Sequence, residues 1–508
     1  MPNSLPLAVS PSVVTPGLYL SINLVSGAAA PSTGTLRALL MAPKSAAGNL
    51  TPDTEFRRGA GADSAATAFG PGTLGHLAAI QLYAKCPTAI VDFAAPTVGA
   101  GTATLALTAS GVPTGNNSVH FDIKGVEFDV AWNASETADT FKTRAIAAIL
   151  ALTNSLPCTA VTGGVGIITI NGKVSGKISN DIVVQATLNS TATGTEAIAG
   201  ALVGTNLAGG STDADFTTLL GNATGTEYAF YAPCLSNADT ELTTTNNVSR
   251  MILQIGQLNT GLNASLQQLI VATVKTQAGA KAAAVVRNSQ VMEQIHCTNA
   301  RSLPCEFVGR EVGARLQSDS IDPSANRIGE YLDGLFGSKN PTTDKPSAAT
   351  AEDSLTNGLS IVGYNASQQP ILLRPITTYS LDPNGAADRR LLDVQNVSGT
   401  YAVARDMRSA LPAEFTGAKI QPDSLPGTDP PPRGVIEERD IKGFVISRLR
   451  IWQRLGVVQK APLDAVIADG SLIVQVDVSD PTQVNIVLPI RIVQPLAKMG
   501  VVVQRRVG

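Results

Sequence analysis

Short apolar runs of strand length recur along the chain, and stretches of helix length separate them. The runs are LRALLMAP (36–43), TAIVDF (88–93), EYAFYAPC (227–234), QQLIVATV (267–274) and VMEQIHC (291–297). Helices are predicted at 76–85, 238–258 and 304–320. Strands that alternate with helices form mostly parallel sheets, because each crossover connection places a helix against a face of the sheet. The pattern therefore predicts an α/β domain whose sheet is covered on both faces.

The composition changes between residues 99 and 209, and the alternation of strands and helices stops there. This stretch is rich in Gly, Ala, Thr and Val, and apolar residues alternate with polar ones in runs such as TATLALT, VEFDVAW and DIVVQATL. One helix is expected there, over SETADTFKTRAIAAILALTNS, with Ser135 as its N-cap. The sequence predicts a mainly-β domain, at 99–209, inserted into a core domain formed by 26–98 and 210–384.

Both ends of the chain are predicted to be extended strands. Residues 1–25 are punctuated by proline and contain the alternating run GLYLSINLV. Near the other end, two helices at 389–415 and 435–456 flank a Pro-rich linker at 421–434, and strands are predicted from residue 471 onward, over SLIVQVDVSDPTQVNIVLPIRIVQ and LAKMGVVVQRRVG. The fold class predicted is multidomain α/β (α+β): a mixed α/β core, an inserted mainly-β domain, a C-terminal α/β domain at 385–483, and β-strand arms at 1–25 and 484–508.

Two smaller predictions complete the layout of the core. The segment SKNPTTDKPSAATAED (338–353) has the composition of a loop, and ILLRPITTYSLDP (371–383) that of an apolar strand.

Composition argues against several classes of partner. Charged residues make up 15% of the 508 residues and the formal net charge is −3, so neither nucleic acid nor a membrane surface is predicted as a partner. Residues 386–508 carry 16 Lys+Arg and 13 Asp+Glu, and residues 1–385 carry 21 Lys+Arg and 27 Asp+Glu. The C-terminal part is therefore the more positive of the two. No segment has 18 consecutive apolar residues and the N-terminus has no basic region before an apolar run, so a soluble product is expected.

The stretch FGPGTLGHL (69–77) places Gly70, Gly72 and Gly75 at dinucleotide-binding spacing, and Asp92 follows about where a ribose-binding carboxylate would. A phosphate site also needs an apolar strand that runs into the first glycine. The preceding RRGAGADSAATAF is small and polar, which favours a Gly-Pro-Gly turn before a structural helix, with Asp92 at the end of a strand. A nucleotide-dependent enzyme remains the alternative.

The chain offers few residues for other catalysis. Its three histidines have no zinc-ligand spacing, and His296 and Cys297 are adjacent on a predicted strand, so their side chains point to opposite faces. Neither G-x-S-x-G nor a Walker-type loop occurs. The sequence predicts no enzyme, no cofactor and no metal site, with all five cysteines as free, mostly buried thiols (Cys86, Cys158, Cys234, Cys297 and Cys305).

The C-terminal part of the chain contains LLDVQNVSGTYAVARDMRSALP, then VIEERDIKGFVISRLRIWQRLGVV, then VQVDVSDPTQVNIVLPIRIVQPLAKMGVVVQRRV. In this order the three segments resemble the end of the contractile tail sheath proteins of Mu-type bacteriophages. In that family a helix that begins near Leu-Asp-Val precedes a long helix with a tryptophan, and an Asp-Pro then precedes a strand of the form V-N-x-x-L-P. The matching residues are Leu392, Asp393, Val394, Trp452, Asp480, Pro481, Val484, Asn485, Leu488 and Pro489. PGLYLSINL, the FGPGTLGHL turn and a Gly/Thr-rich inserted domain recur in similar order. Departures include Gly399, Thr400 and Pro495.

The resemblance implies a structural protein of the virion, assembled in the host cytoplasm. Family members stack as six-fold rings around a tail tube and contract to drive the tube through the host envelope during genome delivery. The implied partners are other copies of the chain, the tail tube protein, and the baseplate and tail terminator proteins. A non-contractile surface-binding protein with a β-rich inserted domain is a further alternative.

In the family, terminal arms add strands to a sheet of a neighbouring subunit, with backbone hydrogen bonds as the main contact. Residues 13–25 and 484–507 are the arm candidates here, hinged at Pro16, Gly17 and Pro495. The arm residues predicted to pair are Val14, Leu18, Tyr19, Leu20, Ile22, Val484, Ile486, Val487, Val501, Val502 and Val503. The alternative is that both segments pair within their own subunit.

The resemblance also implies an orientation around the tube. The inserted domain would face outward and residues 385–470 would face the tube. The arginines of the long helix are then candidates for tube contact through acidic tube residues (Arg439, Arg448, Arg450 and Arg454), and a solvated helix face is the alternative.

Overall fold

The computed structural model describes residues 35–189, 194–201, 203–244, 246–259, 265–423, 432 and 434–496. Several predicted arm residues lie outside these ranges: Val14, Leu18, Tyr19, Leu20, Ile22, Val501, Val502 and Val503. Among the residues described, no helix combines the length and the apolar character needed to cross a bilayer.

The strands of the described residues are β1 Arg37–Met41, β2 Arg57–Arg58, β3 Ile90–Ala94, β4 Thr104–Ser110, β5 Asn117–Ile123, β6 Val126–Trp132, β7 Cys158–Gly164, β8 Ile167–Gly172, β9 Val183–Asn189, β10 Ala197–Ala199, β11 Thr205–Asn206, β12 Phe230–Pro233, β13 Gln268–Thr273, β14 Met292–His296, β15 Glu330–Tyr331, β16 Ser360–Tyr364, β17 Pro370–Leu372, β18 Lys419–Gln421, β19 Val435–Glu437, β20 Ile473–Val476 and β21 Val484–Val487. The α-helices are α1 Ala62–Phe69, α2 Leu74–Lys85, α3 Ala138–Ala151, α4 Thr217–Asn222, α5 Asn237–Glu241, α6 Asn247–Leu258, α7 Gln277–Arg287, α8 Pro304–Ile321, α9 Pro341–Asp344, α10 Ala348–Thr356, α11 Val394–Phe415, α12 Glu438–Arg454 and α13 Lys460–Ala468.

A nine-stranded sheet forms the core, in the order β15-β17-β16-β14-β13-β12-β1-β3-β2. Its six central strands pair in parallel, and the pairs at the two edges are antiparallel. Every residue of β13, β14 and β16 is buried, as expected for strands covered on both faces. The mixed α/β class and the mostly parallel sheet predicted from the five apolar runs are confirmed.

Three local predictions were wrong, and one helix was not predicted. The helix predicted over 238–258 is two helices, because Asn246 caps α6 separately by accepting a hydrogen bond of 2.9 Å from the Ser249 amide. The predicted loop at 338–353 contains α9 and the first part of α10, which Ser347 caps. The strand predicted over 371–383 ends at Leu372, three residues before Pro375. The helix that was not predicted is α13, which lies just before the stretch predicted as strand from residue 471 onward.

Residues 104–206 form two four-stranded sheets, in the orders β10-β4-β8-β7 and β11-β9-β5-β6. The helix α3 packs among them, with Phe141 stacked on Trp132 at 4.5 Å between ring centroids. Its N-cap is Thr137, which accepts a hydrogen bond from the Thr140 amide, and not Ser135 as predicted. Ser135 lies in a turn with φ of 63°. This region is therefore mainly β, as predicted. The domain boundaries at residues 99 and 209 stay a prediction.

Buried polar contacts attach this region to the core. Lys124 forms an ion pair of 2.5 Å with Glu306, in the first turn of α8, and both side chains are buried. Asp181 accepts a hydrogen bond of 2.7 Å from the Asn237 amide, at the start of α5. Burial raises the pKa of Asp181 to about 6. The two regions are joined by charges that water does not screen.

A buried guanidinium connects helix α8 to the core sheet and to α11. The Arg315 side chain is 1% exposed and forms ion pairs with Glu293 on β14 at 3.2 Å and with Asp319 at 3.3 Å. Its Nη2 atom donates to Gln268 on β13 at 2.7 Å and to Ser398 on α11 at 2.6 Å. A buried charge is tolerated only when it is paired and hydrogen-bonded. Arg315 meets this condition through one residue of its own helix and one residue on each of three other elements.

We predict that Arg315→Met destabilises the core, because it leaves the carboxylates of Glu293 and Asp319 buried without their cation. The expected loss is about 3 to 5 kcal/mol of unfolding free energy, measured by urea denaturation followed by circular dichroism. Arg390→Met is the matched control: Arg390 also pairs with a carboxylate, but its side chain is 69% exposed. That change should stay within about 0.5 kcal/mol. Equal unfolding midpoints for the two variants would contradict the prediction.

Candidate assembly interface

The long helix α12 has one face that packs into the C-terminal region. Ile441, Val445, Leu449 and Trp452 recur at helical spacing and are buried among apolar residues of α11 and α13. The helix begins after Glu437, whose side chain forms a capping box with Asp440. The opposite face is left for the charged residues, and three of the four predicted tube-contact arginines lie on or beside it.

Arg448 is less exposed than Arg439 and Arg450, and its buried partner lies on another helix. Its guanidinium donates to both carboxylate oxygens of Asp406 on α11, with the Nε contact at 3.1 Å. The indole Nε1 of Trp452 donates to the same carboxylate at 3.3 Å. The Asp406 side chain is completely buried, whereas Arg448 is 22% exposed. Arg448 therefore joins α12 to α11, and the structure gives it a role inside the subunit that the sequence did not indicate.

The remaining arginines lie nearer to solvent. Arg439 pairs with Glu437, and Arg450 pairs with Asp464 on α13. Lys460 and Arg450 both hydrogen-bond Asp464, and together they lower the pKa of that carboxyl below its usual value. Arg454 is exposed in the last turn of α12 and has no ion pair among the described residues. Among the four, Arg454 has the side chain most available to a partner.

We predict that Arg448→Ala and Arg454→Ala differ strongly in stability. Loss of Arg448 leaves Asp406 buried and charged without its cation, which should lower the unfolding free energy by about 3 kcal/mol. Loss of Arg454 removes an exposed charge and should change it by less than about 0.5 kcal/mol. Thermal unfolding of the two variants measures the difference. Similar melting temperatures would mean that the Asp406 contact contributes little.

A two-stranded antiparallel sheet follows these helices. Strand β20 pairs with β21 in the register Ile473 with Val487 and Val476 with Val484. The Asp477 amide donates to the Gln483 carbonyl at 2.8 Å, so this next pair of the ladder is a hydrogen-bonded pair. Hydrogen-bonded and non-hydrogen-bonded pairs alternate in antiparallel strands. It follows that the amides and carbonyls of Val474 and Val476 point away from β21, and those of Val484 and Ile486 point away from β20.

The two outer edges of this sheet are not equivalent. On the β20 edge, the Val476 amide donates to the Glu438 carboxylate at 2.7 Å, so the first turn of α12 covers part of that edge. On the β21 edge, the sheet has no third strand among the described residues. A strand edge with unpaired amides and carbonyls is a template for another strand. The β21 edge is thus the more open of the two.

The predicted arm residues Val484, Ile486 and Val487 are the ones that form β21. They pair with β20 of the same chain, so the chain does not leave its domain at residue 484 as the predicted arm boundary supposed. The chain next returns to α11, where a Cβ on Gly399 would lie 3.1 Å from the Ile492 side chain. Asn396 and Gln494 exchange hydrogen bonds of 3.0 Å there. The small residue at 399 thus allows this close approach. Strand exchange between subunits stays a prediction.

The Gly70 turn does not have the geometry of a phosphate-binding loop. Helix α1 runs into it, where a strand would be needed. The Gly72 amide, which a phosphate would use, donates to His76 Nδ1 at 2.9 Å. Lys173 of the inserted region covers the turn and donates to the Pro71 carbonyl at 2.9 Å. These glycines form a turn packed against the inserted region.

Asp92 was predicted to lie at the end of a strand, but it lies in the middle of β3. It pairs with Arg58 at 2.6 Å and accepts a hydrogen bond of 3.1 Å from the Tyr228 hydroxyl. Its carboxylate is therefore committed to neighbours within the fold.

His296 and Cys297 are both buried at the end of β14. Burial lowers the pKa of His296 to about 4 and raises that of Cys297 to about 12, the reverse of what a nucleophile and its base require. All five cysteines are free and buried, as predicted. In the described part of the chain, no group of three or more His, Cys, Asp or Glu side chains is arranged to hold a metal ion.

Solved structures with a similar backbone include two sheath tail proteins. The one from Desulfitobacterium hafniense is 12% identical, with 94% of this chain and 100% of that chain covered at a TM-score of 0.45. The one from Listeria innocua is 13% identical, with 84% and 86% covered at 0.40. A chain of the anti-feeding prophage baseplate is 13% identical, with 61% and 77% covered at 0.37. Neither a family model nor a curated protein matches the chain. Likeness at this level gives no residue of this chain a role.

Proposed function

We propose that the chain is the structural subunit of a contractile phage tail sheath of the Mu type. Copies stack as hexameric rings around the tail tube, and contraction of the stack drives the tube through the host cell envelope during genome delivery. The subunit is a component of the virion, assembled in the host cytoplasm, and its work is mechanical and not enzymatic. Besides its own copies, it contacts the tail tube, baseplate and tail terminator proteins.

One observation carries the proposal: residues that carry the sequence resemblance form a two-stranded sheet with an open edge. Val484 and Asn485 of the V-N-x-x-L-P motif lie in β21. Two strands alone are marginally stable, and a further strand from another copy would both stabilise the sheet and connect the copies. The alternating run GLYLSINL of residues 17–24 contains Leu18, Leu20 and Ile22 and has the side-chain pattern of such a strand.

The proposed strand from another copy adds to the edge of β21. It would pair with the backbone groups of Val484 and Ile486, which point away from β20. Backbone pairing of this kind survives a large rotation of one subunit against another if the chain between arm and domain can bend. Rings held in this way can move from a longer to a shorter arrangement without losing their connections, and the energy is stored in the subunit contacts formed at assembly.

We predict that Ile486→Pro blocks assembly, because proline removes an amide that points to the open edge and leaves the ladder to β20 intact. Tubes or rings in electron micrographs and sedimentation velocity measure the effect. Val474→Pro is the matched control, since its amide points outward from the opposite edge. The control should assemble and Ile486→Pro should remain monomeric. Assembly of both variants to the same extent would refute strand addition at β21.

Tube contact is assigned to the exposed end of α12, at Arg450 and Arg454. Arg448 is removed from this set because its charge is committed to Asp406. Arg439 remains a candidate, with its side chain 50% exposed. Cations on a solvated helix end attract an acidic surface, and salt weakens such an attraction.

We predict that Arg454→Glu weakens binding of assembled sheath to the tube about fivefold in co-sedimentation at low salt, since repulsion replaces attraction at one contact. The difference from wild type should shrink as salt is raised. Arg250→Glu is the control, because Arg250 is a partly exposed arginine of the core and lies outside the C-terminal region. Unchanged binding of Arg454→Glu would remove the end of α12 from the tube interface.

A further inference from the structure

An open cavity of about 420 Å³ lies at the amino ends of the parallel strands β1, β3 and β12. Helix α11 forms its opposite wall. The residues that define it are Arg37, Ile90, Glu227, Ala229, Arg405 and Arg408. The cavity is separate from the β21 edge and from the exposed end of α12.

Positive charge dominates the cavity wall. Three guanidinium groups face one carboxylate, that of Glu227. Arg408 donates to both oxygens of Glu227, with one contact at 2.5 Å, and the nearest approach of Arg405 to that carboxylate is 3.7 Å. Arg405 instead donates to the Leu266 carbonyl at 2.6 Å. The hydrogen-bond acceptor of Arg405 is thus a neutral carbonyl, so its positive charge is not fully compensated.

The third guanidinium is also only partly neutralised. Arg37 lies 3.5 Å from Asp92, and that carboxylate already has a closer ion pair with Arg58 at 2.6 Å. Burial lowers the pKa of Arg405, which agrees with a cation short of negative charge. The protein as a whole has a net charge of −3, so this concentration of positive charge is local.

The chain that precedes the cavity supplies no counter-charge. Residues 1–36 contain no Asp, Glu, Lys or Arg, and Arg37 is the first charged side chain of the sequence. An anion for this cavity must therefore come from elsewhere.

We propose that this cavity binds a small organic polyanion, a ligand of about the size of citrate that carries two or more carboxylate or phosphate groups. Guanidinium groups bind such oxyanions through paired, charge-assisted hydrogen bonds. The cavity volume lies in the range of small-molecule sites, about 300 to 1,000 Å³, and exceeds what a single inorganic phosphate would fill. The uncharged part of the wall includes Leu36, Ile90 and Ala229. The proposal does not depend on a role in a tail sheath.

The test is calorimetric titration of the full chain with citrate at constant ionic strength. Arg408→Gln should weaken citrate binding about tenfold, the loss of one charge-assisted contact. Glu227→Gln should strengthen binding several-fold, because it removes the carboxylate that competes for Arg408. Both substitutions break the same ion pair. Opposite changes in the affinity for citrate are therefore expected only if the arginines bind the added anion.

Arg144→Gln is the matched control, because Arg144 makes a similar two-contact ion pair with Glu136 in the inserted region, and it should bind citrate as wild type does. Circular dichroism of each variant without citrate checks the fold. Inorganic phosphate should bind more weakly than citrate, since it fills less of the cavity. The proposal is overturned if citrate gives no saturable heat, or if Arg408→Gln and Glu227→Gln change the affinity in the same direction. It is also overturned if Arg408→Gln abolishes self-association while wild type binds no citrate, because an acidic side chain of another copy is then the occupant.

Discussion

The buried guanidinium of Arg315 determines where the C-terminal region lies on the core. It binds strands β13 and β14 through Gln268 and Glu293, and it binds α11 through Ser398. A charge at this depth is stable only while all of its partners stay in place, so the sheet, α8 and α11 are held in one arrangement. Further along α11, Asp406 performs the same function for α12 through Arg448 and Trp452.

These contacts continue to the open strand edge. From the first turn of α12, Glu438 accepts a hydrogen bond from the Val476 amide of β20, and β20 holds β21. Each link is polar and directional, so the edge at Val484 and Ile486 has a defined position relative to the core sheet. In the proposed sheath, such a series of contacts would transmit force from the added strand to the nine-stranded core.

Much of the core could be predicted from sequence because its strands are buried on both faces. Runs such as QQLIVATV are apolar throughout, and only a covered parallel strand or a buried helix accommodates them; their length favours the strand. The predicted helices and strands were wrong where a single capping residue or proline changes the local structure. Asn246 and Ser347 each cap a helix, and Pro375 follows the end of a strand, so a single residue changes the structure that the longer pattern around it predicts. Helix α13 is hard to predict because it has only nine residues and contains Pro462 in its first turn.

The sequence by itself determined the mixed α/β class, the mostly parallel core sheet, the β-rich insertion and the burial of the five cysteines. These properties depend on the order of apolar and polar residues along the chain, which also records which face of each element is buried. The tertiary structure alone decided that Arg448 is committed to Asp406 while Arg454 is exposed, that Val484–Val487 pairs with β20, and that three arginines meet around one cavity. Arg448 and Asp406 are 42 residues apart, and Arg408 and Glu227 are 181 apart. No periodicity within one helix or strand records a partner at such a distance, so only the packed fold determines which charges are neutralised and which remain available.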